Sequence, residues 1–410
     1  MVRIVLEAAL CGIVLFAGCC YYTPASPNSL VPPAETWGHD TMGHDRNPPA
    51  ILERVPIPAS CPVVRVRLAT GATTIIGSDA GLRLAGGGAS TTVPAGQTIT
   101  VTGDGIVIDN RVWHDLSDTI AVSSESEGRV WVHDRAYRGS FLVFRSADSG
   151  VAVVNVLGLE EYLFGVVPCE IGPINEQTLE AVKAQAVAAR SFTLARIGKR
   201  KGLGHDLFDS YERDQEYRGT GRETELGRQA VSATAGEVLM YAGEVAEALY
   251  HGNCGGVTSN GSQPYLKSVR DAPAHGRRAY CSGSPNFTWE MSVSRDSLDA
   301  VVSRLAGTAR KVRSVRLDTD GASGRVKYLY FDTGAGSVRV HGMDFRSGMG
   351  LRSQNFTMTI RGKTLTIKGR GWGHGSGMCQ DGAVGMAREG ADYRRILSHY
   401  YSGVSLKRVY

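Results

Sequence analysis

The sequence predicts an α+β fold. Three observations carry this reading: short period-two strand patterns fill the first half, one long helical face follows, and strand patterns return before a closing helical stretch. Of the 410 residues, 42% are hydrophobic and 21% charged, a balance that excludes wholesale disorder and leaves room for a sizeable core. The 51 glycines follow no three-residue repeat, so turns and close backbone approaches are expected, not a collagen-like rod. A formal net charge of +5 is too small to argue for nucleic acid, and no nucleic-acid partner is expected.

At the N-terminus, Arg3 precedes a mostly apolar run that ends in Gly18, Cys19 and Cys20. The run is too short to span a bilayer and ends in small residues, so residues 1–19 are read as an export signal peptide. Leu15-Phe16-Ala17-Gly18-Cys19 resembles the box at which bacterial lipoproteins are cleaved and acylated. Cys19 is therefore the candidate lipidation site, and attachment to the membrane through a lipid anchor is expected; the alternative is an ordinary signal peptide, or a short membrane anchor, with incidental cysteines. Residues 20–60 hold eight of the 15 prolines and no hydrophobic periodicity, and read as an extended tether. The pairs His39-Asp40 and His44-Asp45 in it read as solvated loop, not as metal ligands.

Residues 61–149 read as a β-rich N-terminal portion. Val64, Val66 and Leu68 alternate with Arg65 and Arg67, and strand patterns follow at 98–101, 105–108, 130–132 and 141–144, separated by Gly, Asp and Ser turns. Another follows at 151–156, opening the body at 150–410. Leu179, Val182, Ala186, Ala189 and Thr193 then recur at helical spacing, with Pro173 and Asn175 marking the helix entrance. A second helix is expected near 223–235. Strand patterns return at 238–241, 312–317, 327–331, 338–341, 357–360 and 365–368. Ala387, Ile396, Leu397 and Tyr400 give the apolar face of a closing helix near 383–401.

Three clusters carry chemistry. Glu170 stands in the apolar segment Gly165-Val166-Val167-Pro168-Cys169-Glu170, read as a loop before the strongest helix. Burial there would raise its pKa as a general acid requires, although an acidic group near a helix N-terminus also simply complements the dipole. In the segment 369–380, glycine alternates with Trp372, His374 and Ser376. Either Trp372 and His374 project together toward a sugar ring, or a tight corner needs glycine sterically. Third, His251, Cys254 and Cys281 offer three zinc ligands, but a Cys254–Cys281 disulfide is the simpler expectation in an exported chain.

Taken together, these clusters resemble the SpoIID/LytB family, the stage II sporulation protein D and amidase-enhancer group. The matching text runs from Asn155-Val156-Leu157-Gly158-Leu159-Glu160-Glu161-Tyr162-Leu163 through Pro168-Cys169-Glu170 to the stretch 179–191. It continues with Tyr250-His251, Cys254-Gly255-Gly256, Phe345-Arg346 and the Gly-His-Gly-x-Gly-Met-x-Gln-x-Gly-Ala signature at 373–383. The resemblance covers residues 150–410. It implies peptidoglycan remodelling by a lytic transglycosylase that cleaves glycan strands between N-acetylmuramic acid and N-acetylglucosamine, with Glu170 as general acid and base. It also implies Gln185, Arg190, Asp209, Ser210, Gln215, Tyr217, His251, Trp372, His374 and Gln380 as groove residues. The alternative is a non-catalytic amidase enhancer that binds peptidoglycan and works with an N-acetylmuramoyl-L-alanine amidase.

Two departures matter. The serines usual before Glu170 and Gln380 are Cys169 and Cys379 here, from which a contact between the two loops and a Cys169–Cys379 disulfide are expected. Some members carry zinc-binding cysteines where this chain has Phe208 and Asp214, so that zinc site is expected to be missing, and no cofactor is expected.

Overall fold

The structure is a computed structural model that describes residues 60–410 apart from 69, 127, 147–149 and 277. The expected signal peptide, Cys19 and, save for Ser60, the tether lie outside the described residues. Among the described residues, seven α-helices and six sheets make an α+β fold.

Period-two burial builds the first sheets. In Val63–Arg67, Val64 and Val66 are buried while Val63 and Arg65 are exposed. This strand lies antiparallel to Gly150–Gly158, which pairs on its other edge with Ser140–Ser146. The seven-stranded sheet continues through Ile120–Ser124, Leu82–Gly86 and Ala89–Val93, with Leu207–Phe208 parallel to Val63–Arg67 at the opposite edge. A six-stranded sheet is built from the segments between 73 and 137. The boundary drawn at 149/150 thus falls within the first sheet, and the two portions share one hydrophobic core.

The helices are α1 (Leu159–Glu170), α2 (Leu179–Arg196), α3 (Glu225–Ala233), α4 (Arg295–Ala306), α5 (Gly342–Met349), α6 (Gln380–Arg388) and α7 (Tyr393–Tyr400). Helix α2 is the hub: it packs against α1, α3, α6 and α7 and is buried almost all round. Its alanines at 181, 184, 186, 188, 189 and 195 let those neighbours approach closely. The closing helix expected near 383–401 is two helices. Gly390, with φ 84°, turns the chain, and the Asp392 carboxylate accepts the Arg395 N–H at 2.8 Å to start α7.

Residues 288–370 were read only as scattered strands, and they form a distinct substructure. Two three-stranded sheets, α4 and α5 close around a second core that includes Trp289, Leu298, Val326, Phe331, Phe345, Phe356 and Ile367.

Between Arg370 and Met378 the glycine-alternating segment is not a strand. Gly371, Gly373, Gly375 and Gly377 take φ of 78°, 101°, 90° and 73°, a region that favours glycine. A Cβ on Gly377 would collide with the Leu249 carbonyl oxygen. Steric need therefore explains these glycines.

Candidate active site

Glu170 is the last residue of α1, not part of a loop. The Glu161 carboxylate accepts the Gly158 N–H at 3.3 Å and starts that helix, which runs on through Pro168. Gly165 lets it pack, because a Cβ there would lie 2.6 Å from the Gly219 carbonyl oxygen. Glu170 consequently sits at the negative end of a helix dipole, where ionisation is disfavoured. Its Oε1 accepts the Glu216 N–H at 2.7 Å, and the side chains of Gln380 and Tyr250 also hydrogen-bond the carboxyl. Burial outweighs these donors and pushes the Glu170 pKa up to about 7, with the Glu216 carboxylate adding to the rise. The residue remains partly exposed. A carboxyl so placed can both give and take a proton near neutral pH.

A buried polar network holds Tyr250 and Gln380 against Glu170. The Gln215 amide donates to the Tyr250 hydroxyl at 2.8 Å and to the Ala189 carbonyl at 3.3 Å. Its oxygen accepts from Thr193 at 2.7 Å and Tyr162 at 3.2 Å. Tyr250–His251 pairs in parallel with Met378–Cys379, which delivers Gln380, the first residue of α6. The Gln380 amide donates to Gln185 Oε1 at 3.4 Å, while Gln185 Nε2 is buried without a partner. The two segments expected to touch meet through Glu170 and Gln380, as the end of α1 and the start of α6 and not as loops.

Several expected groove residues serve the fold instead. Arg190 is fully buried, paired bidentately with Glu160 at 2.7 Å and donating to the Glu237 and Val231 carbonyls. Gln215 is fully buried in the network above. Tyr217 is buried, donates to Asn155 Oδ1 at 2.9 Å and packs on Tyr162. Asp209 is buried, and the Ser210 hydroxyl accepts the Glu212 N–H at 3.2 Å in a local turn. The Asp214 carboxylate is taken by Arg196 and Arg200, and the Arg213 guanidinium covers the Phe208 ring at 3.9 Å.

The two histidines are neighbours, with ring centroids 5.4 Å apart. Both ring nitrogens of His374 face backbone. Nδ1 accepts the Ser376 N–H at 3.2 Å, so Nε2 carries the proton and donates to the Tyr250 carbonyl at 2.9 Å. Burial pushes its pKa down to about 4, so it is a neutral positioning group. His251 Nδ1 donates to the Ser376 carbonyl at 3.1 Å, its Nε2 is buried without a partner, and burial holds its pKa well below the ordinary value. Trp372 is exposed, lies under the Arg352 guanidinium at 4.9 Å and packs beside Gly252. Gly252 is two residues from Tyr250, or about 7 Å along an extended chain. Of the expected groove set, Gln380 reaches Glu170 directly, Gln185 does so through Gln380, and Trp372 is partly exposed.

All five described cysteines carry free thiols. The Cys254 and Cys281 sulfurs are close, at 3.6 Å, but not bonded. The expected Cys169–Cys379 bridge is not formed. Cys379 Sγ turns inward to accept the Cys254 N–H at 3.2 Å, while Cys169 feels the charges of Glu216, Arg218 and Arg222. Sequence reasoning missed the Tyr250 hydroxyl and the Glu216 N–H as partners of Glu170. Tyr250 was in view as the neighbour of His251, but a backbone donor leaves no trace in side-chain chemistry.

The fold and the surroundings of Glu170 define an α+β protein with a proton-poised glutamate held where α1, α6 and a parallel strand pair meet. The SpoIID family model, described as stage II sporulation protein, matches residues 147–241, which include Glu170 and α2. Stage II sporulation protein D of Bacillus subtilis is 30% identical over 315 residues, covering 71% of this chain and 85% of the relative. An uncharacterized protein of Brachyspira hyodysenteriae is 34% identical over 315 residues, covering 73% of this chain and 81% of the relative. The amidase enhancer of Bacillus subtilis is 28% identical over 302 residues, but only 40% of its length is covered. The chain belongs to the SpoIID family.

Proposed function

We propose that this chain is an exported peptidoglycan lytic transglycosylase, anchored through an acylated Cys19. The observation that carries the reading is Glu170: a partly open carboxyl with a pKa of about 7, hydrogen-bonded on several sides. Protonated Glu170 gives its proton to the oxygen linking N-acetylmuramic acid to N-acetylglucosamine, and the bond from that oxygen to the muramic C1 breaks. The carboxylate then takes the proton of the muramic C6 hydroxyl, whose oxygen bonds to C1 and closes a 1,6-anhydro ring. No water enters, so the second carboxylate of a hydrolase is not required. Trp372, packed beside Gly252 two residues along from Tyr250, supplies a stacking surface for a sugar. Tyr250 and Gln380 steady the carboxylate between its two proton transfers. Incubation of the protein with peptide-free glycan strands tests this. New 1,6-anhydro ends are expected, and strands that stay intact would favour the amidase-enhancer reading.

A further inference from the structure

We propose that Cys254, Asp271, Cys281 and Cys379 together bind one structural zinc ion. Their ligand atoms all lie within 4.8 Å of one another, and all four residues are buried. None of the four is a hydrogen-bond partner of Glu170, and the proposal does not rest on the glycan-cleaving reading.

The spacing decides between zinc and a disulfide. A disulfide needs sulfurs about 2.0 Å apart. A tetrahedral zinc ion with Zn–S bonds of about 2.3 Å sets its sulfurs about 3.8 Å apart. Cys254 and Cys281 stand at 3.6 Å. A Cys254–Cys281 bridge would also account for neither the third thiol of Cys379 nor the buried carboxyl of Asp271.

The surroundings are those of a metal centre. Cys379 Sγ accepts the Cys254 N–H at 3.2 Å, and Cys254 Sγ accepts the Gly256 N–H at 3.3 Å. Tyr400 donates to Asp271 Oδ1 at 2.6 Å, and the Cys281 N–H reaches Oδ2 at 3.2 Å. Such outer contacts orient ligands and stabilise thiolates. Three thiolates and a carboxylate outweigh the charge of one zinc ion. The guanidinium of Arg325, buried and donating to the Cys254 carbonyl at 3.3 Å, offsets part of that excess. Thiolate-rich donors exclude calcium and magnesium, and four buried protein ligands make a closed structural site.

His251, which the sequence offers as a ligand beside Cys254 and Cys281, gives its Nδ1 proton to the Ser376 carbonyl and stands outside the cluster, which Asp271 and Cys379 complete. The ion would clamp both stems of the 288–370 substructure, since Cys281 precedes it and Cys379 follows. Cys379 also caps the helix that carries Gln380 to Glu170.

The test is zinc stoichiometry and thiol mapping on the full chain purified without chelator and supplied with zinc alone. One zinc per chain is expected. Cys254, Cys281 and Cys379 should all alkylate without reductant once the protein is denatured and the metal chelated. Cobalt substitution should give the intense bands of a tetrahedral cobalt thiolate. Asp271→Asn and Cys379→Ser should each weaken zinc retention against a competing chelator at least about tenfold, while Cys61→Ser retains it. Wild-type protein with only trace zinc, a Cys254–Cys281 disulfide peptide, or full zinc retention by Cys379→Ser would each overturn the proposal. If Cys379→Ser does not fold, the wild-type stoichiometry and thiol map decide.

Discussion

Glu170 and Glu216 meet in two opposed ways: the Glu216 N–H holds the Glu170 carboxylate at 2.7 Å, while the Glu216 carboxylate disfavours its charge. Arg218 pairs with that second carboxylate and limits the repulsion. One residue thus fixes where the acid points and helps to keep it protonated.

Activity should depend on pH through Glu170. The acid form starts the reaction, so cleavage should be strong below neutrality and fall as pH rises through about 7. A pH–rate profile on glycan strands checks this; a fall already complete near pH 5 would contradict it.

Stability should show the same group with a determined sign. The folded pKa lies above the ordinary 4.5, so the folded state holds more protons than the unfolded state between about 4.5 and 7, and stability declines across that window as pH rises. Glu170→Gln removes this ionisation. It should raise Tm relative to wild type at pH 8 more than at pH 4.5, as read by calorimetry at both values.

Tyr250→Phe should push the alkaline limb of the pH–rate profile upward. The lost hydroxyl donates to the Glu170 carboxylate, and a hydrogen bond to a charged group is worth about 1.5 kcal/mol, or about one pH unit. A merely structural hydroxyl would lower the rate without moving the limb.

Arg190→Gln should destabilise the fold by about 3 kcal/mol, because it leaves Glu160 without its buried partner. Urea unfolding reads the loss. Glycan binding per folded molecule should not change.

Trp372→Ala should lower Tm by no more than a few degrees, since the side chain is 36% exposed, and weaken glycan-strand binding by about tenfold. Sedimentation with peptide-free strands measures it. Equal binding by both proteins would remove the Trp372 platform.

Much of the fold was legible because its pattern is local. The apolar residues of α2 recur every three or four positions, and the strand patterns at 105–108 and 130–132 match observed strands end to end. Helix α1 was missed because Gly165, Pro168 and two valines argue against a helix locally, and only packing against α2 and the Gly219 turn overrides them. The roles of Arg190, Gln215 and Tyr217 were hidden for another reason. Their partners Glu160, Tyr162 and Asn155 lie 30, 53 and 62 residues away, and sequence does not show which polar side chains face inward. Asp271 belongs to no motif and joins the thiols only through the fold.

If Glu170 transfers the protons that cleave the glycan, cleavage must vanish with its carboxyl while binding persists. Wild-type protein and Glu170→Gln, both shown to be folded and to bind peptide-free strands, should be compared by mass spectrometry of the products. 1,6-Anhydro-muramyl ends are expected from the wild type and none above background from the variant. Equal yields of anhydro ends from both proteins would contradict this role for Glu170.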